Sequence, residues 1–173
     1  KERIVHCDLK PENVLLKSDK STSIKVIDYG SSCFDTERLY TYIQSRFYRA
    51  PEIMLGLSYG RPIDLWSLGC IICEMAIGYP IFPGENEVDQ MQLIMETFGV
   101  PPRAMLDKST RKRLFFDSSN LPRLVPNSRG KVRRPSTKQL SSFVRSTNAQ
   151  FIDLLHGLLA YEPGKRLTAV QAL

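Results

Sequence analysis

The sequence lacks the features that define several large classes of protein. No apolar run is long enough to span a bilayer, and no internal repeat or low-complexity tract is present. No signal peptide opens the chain, because Lys1-Glu2-Arg3 runs directly into a polar motif. We therefore expect no membrane association and an intracellular location, in the cytoplasm, the nucleus or both.

The chain has four cysteine residues and no pattern of a disulfide framework. The spacing Cys70-x-x-Cys73 occurs in metal and redox sites, but no second pair accompanies it and its surroundings are almost wholly apolar. Buried structural thiols are therefore the favoured interpretation. Nothing in the sequence demands an oxidising compartment.

Length and charge are those of one ordinary globular domain. The 173 residues are 42% hydrophobic and 24% charged, with a net charge of +6 that favours anionic partners such as a nucleotide or a phosphopeptide. Arg111-Lys112-Arg113 and residues 129–134 are basic clusters, typical of nucleic-acid binding or of a nuclear address. They lack interleaved aromatic residues, so a solvated face is favoured and nucleic-acid binding is not expected.

Hydrophobic periodicity predicts a mainly helical chain with one small β-hairpin. The hairpin pairs Val14-Leu15-Leu16 with residues 24–27, and residues 28–61 read as a long functional loop. A central buried helix is predicted between Pro62 and Gly78, and a second helix from Asn86 to Phe98.

The remainder is predicted to be less regular. Residues 100–142 are basic and weakly periodic, which predicts an insert with little regular structure. A third helix carries apolar residues at helical spacing, and Thr168 is predicted to cap a last helix. The apolar residues of the third helix are Phe151, Leu154, Leu155, Leu158 and Leu159.

Two short motifs carry candidate chemistry. Phosphoryl transfer needs a carboxylate for the attacking hydroxyl, oxygen ligands for Mg²⁺ and positive charge near the γ-phosphate. Asp8, Lys10 and Asn13 supply all three from one segment, and Asp28 follows a predicted strand in Asp28-Tyr29-Gly30. Each motif alone is weak, since Asp8 and Asn13 also suit an exposed Asx turn.

Taken in order, the motifs resemble the large C-terminal lobe of a eukaryotic protein kinase. Residues 6–13 resemble its catalytic loop, and Asp28-Tyr29-Gly30 its metal-binding Asp-Phe-Gly. Ala50-Pro51-Glu52, residues 64–69 and Arg166 match three further motifs in the same order. The resemblance implies a protein kinase-like fold over the whole chain.

The resemblance is closer to the dual-specificity tyrosine-regulated (DYRK) kinases of the CMGC group. His6-Cys7-Asp8, Ser31-Ser32-Cys33 and residues 40–49 carry it, and Gly78-Tyr79-Pro80 with residues 127–131 resemble class 2 members. This implies a mostly monomeric kinase that phosphorylates Ser and Thr of proteins, often before Pro and with Arg upstream, and that autophosphorylates on Tyr.

The resemblance assigns the catalytic and cofactor-binding roles residue by residue. Asp8 is the expected catalytic base and Lys10 steadies the γ-phosphate of ATP. Asn13 and Asp28 are expected to hold Mg²⁺ and the nucleotide. Leu15 is expected on the floor of the adenine site, although a plain core strand residue remains an alternative.

The resemblance also implies supporting roles. His6 and Tyr29 are expected to stack in the internal spine, and Asp64 to brace the catalytic loop. Glu52 and Arg166 are expected to pair and to be structural.

Regulation is expected in the activation segment. Tyr42 is the expected phosphotyrosine and Tyr40 a secondary one, with Arg46, Arg49 and Ser45 as phosphotyrosine or substrate contacts. The alternative is that Tyr42 packs as an ordinary aromatic residue. Cys7 and Cys33 are hypothesised to form a reversible disulfide, although two reduced thiols are favoured.

Elements of a complete kinase are missing from the sequence. No Gly-x-Gly-x-x-Gly loop and no Val-Ala-Ile-Lys-like strand occurs, and the chain does not begin with Met. We therefore expect a C-terminal lobe without its N-terminal lobe, inactive by itself. The alternative is a truncated, non-catalytic interaction module. The expected segments are the catalytic loop and hairpin (1–27), activation segment (28–52), helical core (53–99), insert (100–143) and C-terminal helices (144–173).

Overall fold

A computed structural model describes residues 3–37 and 41–173. In these ranges the chain is mostly helical, with two small antiparallel sheets of two strands each. Within them no helix has the length and apolar character needed to cross a membrane.

The predicted hairpin is confirmed. Strand β2 (Val14–Leu16) pairs with β3 (Ile24–Val26), and Leu15 lies opposite Lys25. The turn is closed by the amide of Lys17, which donates to the carbonyl of Ser23 over 2.9 Å. The hairpin thus brings the two candidate motifs, one before β2 and one after β3, close together in space.

A second sheet was not predicted. Strand β1 (Ile4–Val5) pairs with β4 (Cys33–Phe34), and Val5 lies opposite Cys33. The prediction that residues 28–61 form one long loop is therefore wrong in part. Besides β4, this stretch contains a 3₁₀ turn (Arg46–Tyr48) and helix α1 (Pro51–Met54).

The central helix is confirmed as α2 (Pro62–Ile77). Pro62 lies at its first turn, and Gly78 ends it with a left-handed φ of 86°, which favours glycine. One face of α2 is fully buried, whereas Met75 near its end is 75% exposed, so the helix is central without being buried all round. Its buried side chains include Ile63, Trp66, Cys70 and Cys73.

The second helix is confirmed as α3 (Glu87–Phe98). The side chain of Asn86 caps it by accepting hydrogen bonds from the amides of Val88 and Asp89, each over 3.0 Å. Gly99 follows the last residue, as expected.

The insert is more ordered than its sequence predicts. Helix α4 (Arg103–Lys108), a 3₁₀ turn (Lys112–Leu114) and helix α5 (Leu140–Val144) lie within or across residues 100–142. Arg133 forms ion pairs with Asp89 and Glu96 of α3 over 3.0 and 3.4 Å. The solvated-face interpretation of the basic clusters is therefore wrong for Arg133, which secures the insert to α3.

The third helix is confirmed as α6 (Ala149–Leu158), which packs against α2. Gly69 permits this approach, because a Cβ there would lie 2.8 Å from a methyl group of Leu159. The prediction that Thr168 caps a last helix, cut off by the chain end, is confirmed in part. The amide of Thr168 donates to the side chain of Gln171, the amide of Gln171 donates to the hydroxyl of Thr168, and the amide of Ala172 donates to the carbonyl of Thr168 over 3.0 Å. Residues 169–172 form a turn and not a full helix.

Candidate active site

The backbone of the first motif is held by a half-buried carboxylate on α2. Asp64 accepts hydrogen bonds from the amides of His6 and Cys7 over 2.7 and 3.1 Å. Cys7 has a left-handed φ of 67°, and these bonds stabilise that unfavourable conformation. Burial raises the pKa of Asp64, and the two amide hydrogen bonds oppose the rise.

Asp8 and Lys10 form the centre of the site. The ammonium of Lys10 donates to Oδ2 of Asp8 over 2.8 Å, and Ser45 donates its amide and its hydroxyl to Oδ1 over 2.9 and 2.8 Å. Burial alone would raise the pKa of Asp8, but the hydrogen bonds from Lys10 and Ser45 outweigh it and lower that pKa. Asp8 is therefore ionised near neutral pH.

Asn13 and Asp28 lie beside this pair. The amide of Ile27 donates to the carbonyl of Asn13 over 3.0 Å, which joins the end of β3 to the 3₁₀ turn Pro11–Asn13. The side-chain nitrogen of Asn13 donates to the carbonyl of Asp8 over 2.9 Å, so its amide oxygen is the atom that can ligate a cation. Asp28 is exposed, with a left-handed φ of 63°.

The donor chemistry fits Mg²⁺. A carboxylate from Asp28 and an amide oxygen from Asn13 are hard oxygen ligands, and Mg²⁺ in nucleotide sites commonly uses few protein ligands together with phosphates. The described residues contain no cluster of three or more His, Cys, Asp or Glu side chains able to hold a metal without such help.

An apolar surface lies open on the hairpin next to the site. Leu15 is 46% exposed and Leu16 60% exposed, so Leu15 is not an ordinary core residue here. The rings of His6 and Tyr29 meet edge to face with centroids 5.0 Å apart. Nε2 of His6 also lies 3.0 Å from the carbonyl oxygen of Ile27.

The activation-segment residues separate into two groups. The guanidinium of Arg49 lies over the ring of Tyr42, 4.1 Å from its centroid, whereas Arg46 donates to the carbonyls of Gly84 and Glu85. Tyr42 is 65% exposed and does not pack as an interior aromatic residue. Tyr40 lies outside the described residues.

Gln44 is a site residue that sequence reasoning missed. It is buried with a left-handed φ of 68°, and its side chain donates to the carbonyl of Ile63 and to Ser67 of α2. Its own carbonyl accepts from Arg49 over 2.8 Å. The role was missed because it depends on the left-handed backbone conformation of Gln44, which residue type alone does not indicate.

Glu52 and Arg166 form a sealed pair. Two parallel hydrogen bonds of 2.7 and 2.9 Å join them, and their side chains are 1% and 0% exposed. Arg166 also donates to the carbonyl of Pro62, at the start of α2. The pair therefore joins the end of the activation segment to the C-terminal part of the chain.

The cysteines are all buried and unoxidised. The sulfur atoms of Cys7 and Cys33 lie 3.8 Å apart, brought together by the β1–β4 pairing. Burial, and then the neighbouring Cys33, raise the pKa of the Cys7 thiol. Burial also raises the pKa of Cys70 and, to about 12, that of Cys73, so the reactive thiolate is disfavoured at both thiols of Cys70-x-x-Cys73.

Comparison with known proteins agrees with this arrangement. The protein kinase domain family matches residues 1–173. Dual specificity tyrosine-phosphorylation-regulated kinase 2 of Drosophila melanogaster is 53% identical over 172 residues, which is 99% of this chain and 24% of the relative. Dual specificity tyrosine-phosphorylation-regulated kinase 4 of Homo sapiens is 50% identical over 172 residues, 99% of this chain and 33% of the relative.

A fungal kinase is similar to the chain over the same range. DYRK-family kinase pom1 of Schizosaccharomyces pombe is 52% identical over 171 residues, 99% of this chain and 16% of the relative. The chain therefore belongs to the protein kinase family and, within it, to the DYRK kinases of the CMGC group. It spans between 16% and 33% of the length of these three relatives.

Proposed function

We propose that this chain supplies the catalytic half of a kinase that transfers the γ-phosphate of ATP to Ser and Thr of proteins. The observation that carries the proposal is the contact between Asp8 and Lys10, made beside the ligand pair Asn13 and Asp28. One loop then holds a proton acceptor, a cation for phosphate and a metal ligand.

The proposed phosphoryl transfer is an in-line displacement at the γ-phosphorus of ATP. The hydroxyl oxygen of the substrate forms a bond to the γ-phosphorus, and the bond from that phosphorus to the bridging oxygen of ADP breaks. Asp8, ionised because its pKa is lowered, orients the hydroxyl and accepts its proton. Lys10 neutralises charge on the phosphoryl oxygens.

Cofactor binding uses the other two motif residues and the open hairpin. Asn13 and Asp28 would hold Mg²⁺, which supplies neutralising charge for the phosphates of ATP. The exposed face of Leu15 suits an apolar ring such as adenine. The rest of the nucleotide site belongs to the N-terminal lobe that we expect beside the 1–27 segment.

A preference for proline after the phosphorylated residue is supported by Gln44. Its carbonyl is turned to Arg49, which donates to it over 2.8 Å, and cannot accept the backbone N–H of a substrate. Most residues would lose a hydrogen bond there, at a cost of about 1–3 kcal/mol. Proline has no N–H to lose, so we expect it to be preferred by about tenfold.

A preference for arginine upstream is supported by a second pocket, of about 360 Å³. Two carboxylates, Glu12 and Glu74, line it beside Lys10 and Arg46. Lys10 is paired with Asp8, and Arg46 with backbone carbonyls. Glu74 accepts one hydrogen bond, from the hydroxyl of Tyr48 over 2.7 Å, so both carboxylates keep the capacity to attract a substrate cation.

Tyrosine autophosphorylation is proposed at Tyr42. Its ring is exposed and lies over Arg49, so a phosphate added there would meet a cation.

The test is an in-vitro reaction with the full-length protein, ATP, Mg²⁺ and a Ser-Pro peptide that carries an upstream Arg. We expect phosphate on the peptide serine and on Tyr42 by mass spectrometry, and neither with Asp8→Asn. Peptides with Pro→Ala or Arg→Ala measure the two preferences separately. A folded protein that binds nucleotide without transferring phosphate would instead support the non-catalytic interaction module.

A further inference from the structure

A second Arg–Glu pair lies beside Tyr42. Both carboxylate oxygens of Glu87, the first residue of α3, accept from Arg111, over 2.8 and 2.6 Å. The same carboxylate lies 3.5 Å from Nη1 of Arg49. Two guanidinium groups therefore share one carboxylate, which leaves a local excess of positive charge.

This cluster is electrostatically linked to Tyr42. Arg49 lies against the ring of Tyr42, as described above. The pKa of Arg111 is raised, first by its hydrogen bonds to Glu87 and further by the phenol of Tyr42. Arg111 and Glu87 are 31% and 19% exposed, so solvent and a new ligand can reach the pair.

Arg49 also has a donor to spare. Its side chain is 3% exposed, and its Nη1 has no hydrogen-bond acceptor among the residues that the structure describes. A buried guanidinium nitrogen without an acceptor is costly, and an anion placed next to it would remove that cost. Arg46, the other arginine expected to bind phosphotyrosine, is instead occupied by the carbonyls of Gly84 and Glu85.

We propose that Arg111 is a ligand for phosphotyrosine at position 42, and that Glu87 holds Arg111 and Arg49 in place until the phosphate displaces it. This rests on the proposed phosphorylation of Tyr42. A phosphate carries a charge of about −1.5 to −2 and three acceptor oxygens, so it competes with a single carboxylate for the two guanidinium forks. Repulsion between phosphate and Glu87 favours the exchange.

The exchange would connect the activation segment to the insert. Arg111 also donates to the carbonyl of Met54 at the end of α1, over 3.3 Å. A phosphate held by Arg49 and Arg111 would therefore join residues from both sides of α2. Glu87, once released, would lie in solvent at the start of α3, where a negative charge is favourable.

The experiment places phosphotyrosine at position 42 of the full-length protein by genetic encoding, so it needs no kinase activity. The second pKa of the phosphate is measured by ³¹P NMR. Arg111→Gln should raise that pKa by about one unit, because one opposite charge in contact is lost. The matched control is Arg113→Gln, which removes an exposed arginine two residues away and should change nothing.

Two further variants keep the result interpretable. Arg111→Lys retains the charge without the forked geometry, so it should raise the phosphate pKa by less than Arg111→Gln does. It also tests the proposal if Arg111→Gln does not fold. Glu87→Gln removes the competitor, so phosphotyrosine should raise the melting temperature more in this variant than in the parent protein.

Equal phosphate pKa values for the Arg111 and Arg113 variants would overturn the proposal. So would a Glu87→Gln variant that gains no more stability from phosphotyrosine than the parent protein gains. Absence of natural phosphotyrosine at position 42 would count against the proposed function alone, because the encoded residue tests Arg111 separately.

Discussion

The two bidentate Arg–Glu pairs of this chain have the same chemistry and opposite surroundings. Arg166 and Glu52 are 0% and 1% exposed, whereas Arg111 and Glu87 are 31% and 19% exposed. The first pair is also surrounded by backbone acceptors, since Arg166 donates to the carbonyls of Ala160, Tyr161 and Pro62. The second has a neighbouring arginine and an exposed tyrosine.

Burial decides what each pair can do. A sealed pair cannot lose one partner without leaving a desolvated charge, so it fixes two parts of the chain together. An open pair can exchange its partner, because water or another anion replaces the lost contacts at little cost. The same two residue types therefore serve a permanent link in one place and a candidate switch in the other.

The largest effect is expected from breaking the sealed pair. Arg166→Met should lower the free energy of unfolding by about 3–5 kcal/mol, because Glu52 is left charged and buried. Urea unfolding monitored by circular dichroism measures the loss. The double variant Arg166→Met with Glu52→Leu should recover much of it, and no recovery would show that the pair acts through more than its charges.

A smaller loss of stability is expected at Asp64, a half-buried carboxylate that accepts from backbone amides and has no cationic partner among the described residues. Asp64→Ala removes the acceptor of the His6 and Cys7 amides, which should cost about 1–3 kcal/mol and lower phosphoryl transfer as Asp8 loses its position. Unfolding and peptide phosphorylation are measured together. Met75→Ala, at an exposed position on the same helix, is the control, and activity that falls equally there would argue against a specific brace.

Two carboxylates with different partners should also show opposite pH behaviour. The pKa of Asp64 is raised, so its contribution to stability is largest below the ordinary value of 3.8 and falls as pH rises through its folded-state pKa. The pKa of Asp8 is lowered, so its contribution is present above 3.8 and is lost as pH falls through its folded-state pKa. Carboxyl-carbon NMR titration checks both directions, with Asp8→Asn and Asp64→Asn as assignments. Titration of both groups on the same side of 3.8 would contradict this interpretation.

Burial should also protect the thiols. A disulfide between Cys7 and Cys33 requires peroxide to take two electrons from two thiols and to leave as water, and the raised pKa of Cys7 keeps its thiolate scarce. We therefore expect brief peroxide treatment to leave kinase activity equal in the parent protein and in Cys33→Ser. Loss of activity in the parent alone, restored by a reductant, would instead establish the disulfide.

The smallest effect is expected at a fully open pair. Lys165 and Glu162 lie 2.7 Å apart, but their side chains are 73% and 35% exposed. Lys165→Ala, next to Arg166, should change the free energy of unfolding by less than about 1 kcal/mol. Thermal unfolding checks this value. A loss as large as that of Arg166→Met would show that distance, and not burial, sets the strength of these pairs.

Helix positions were predictable from the sequence where local rules were strong. Pro62 and Gly78 bound α2, and Asn86 with Gly99 bounds α3, because proline, glycine and capping side chains act within a few residues. The insert was misjudged for the opposite reason. Its order depends on contacts with distant elements, namely the ion pairs of Arg133 with α3 and the packing of α5 on α2 and α6, which no local pattern reveals.

The residues of the candidate site also divide into those that short-range spacing predicts and those that only the fold brings together. Asp8, Lys10 and Asn13 lie within six positions, so their meeting was predictable from spacing. Arg111 and Glu87 are 24 positions apart, and both lie far along the chain from Tyr42. Gln44 matters through its backbone conformation, which residue type alone does not specify.

The sequence by itself determined the family, the order of the motifs and the chemistry available to the catalytic loop, because these depend on residue type and short-range spacing. The tertiary structure decided which charges are sealed and which are open. Burial depends on how distant segments pack, and the surrounding dielectric sets whether an ion pair is permanent or exchangeable. That is why Arg166 and Arg111, the same residue type with the same kind of glutamate partner, form a permanent link in one place and a candidate switch in the other.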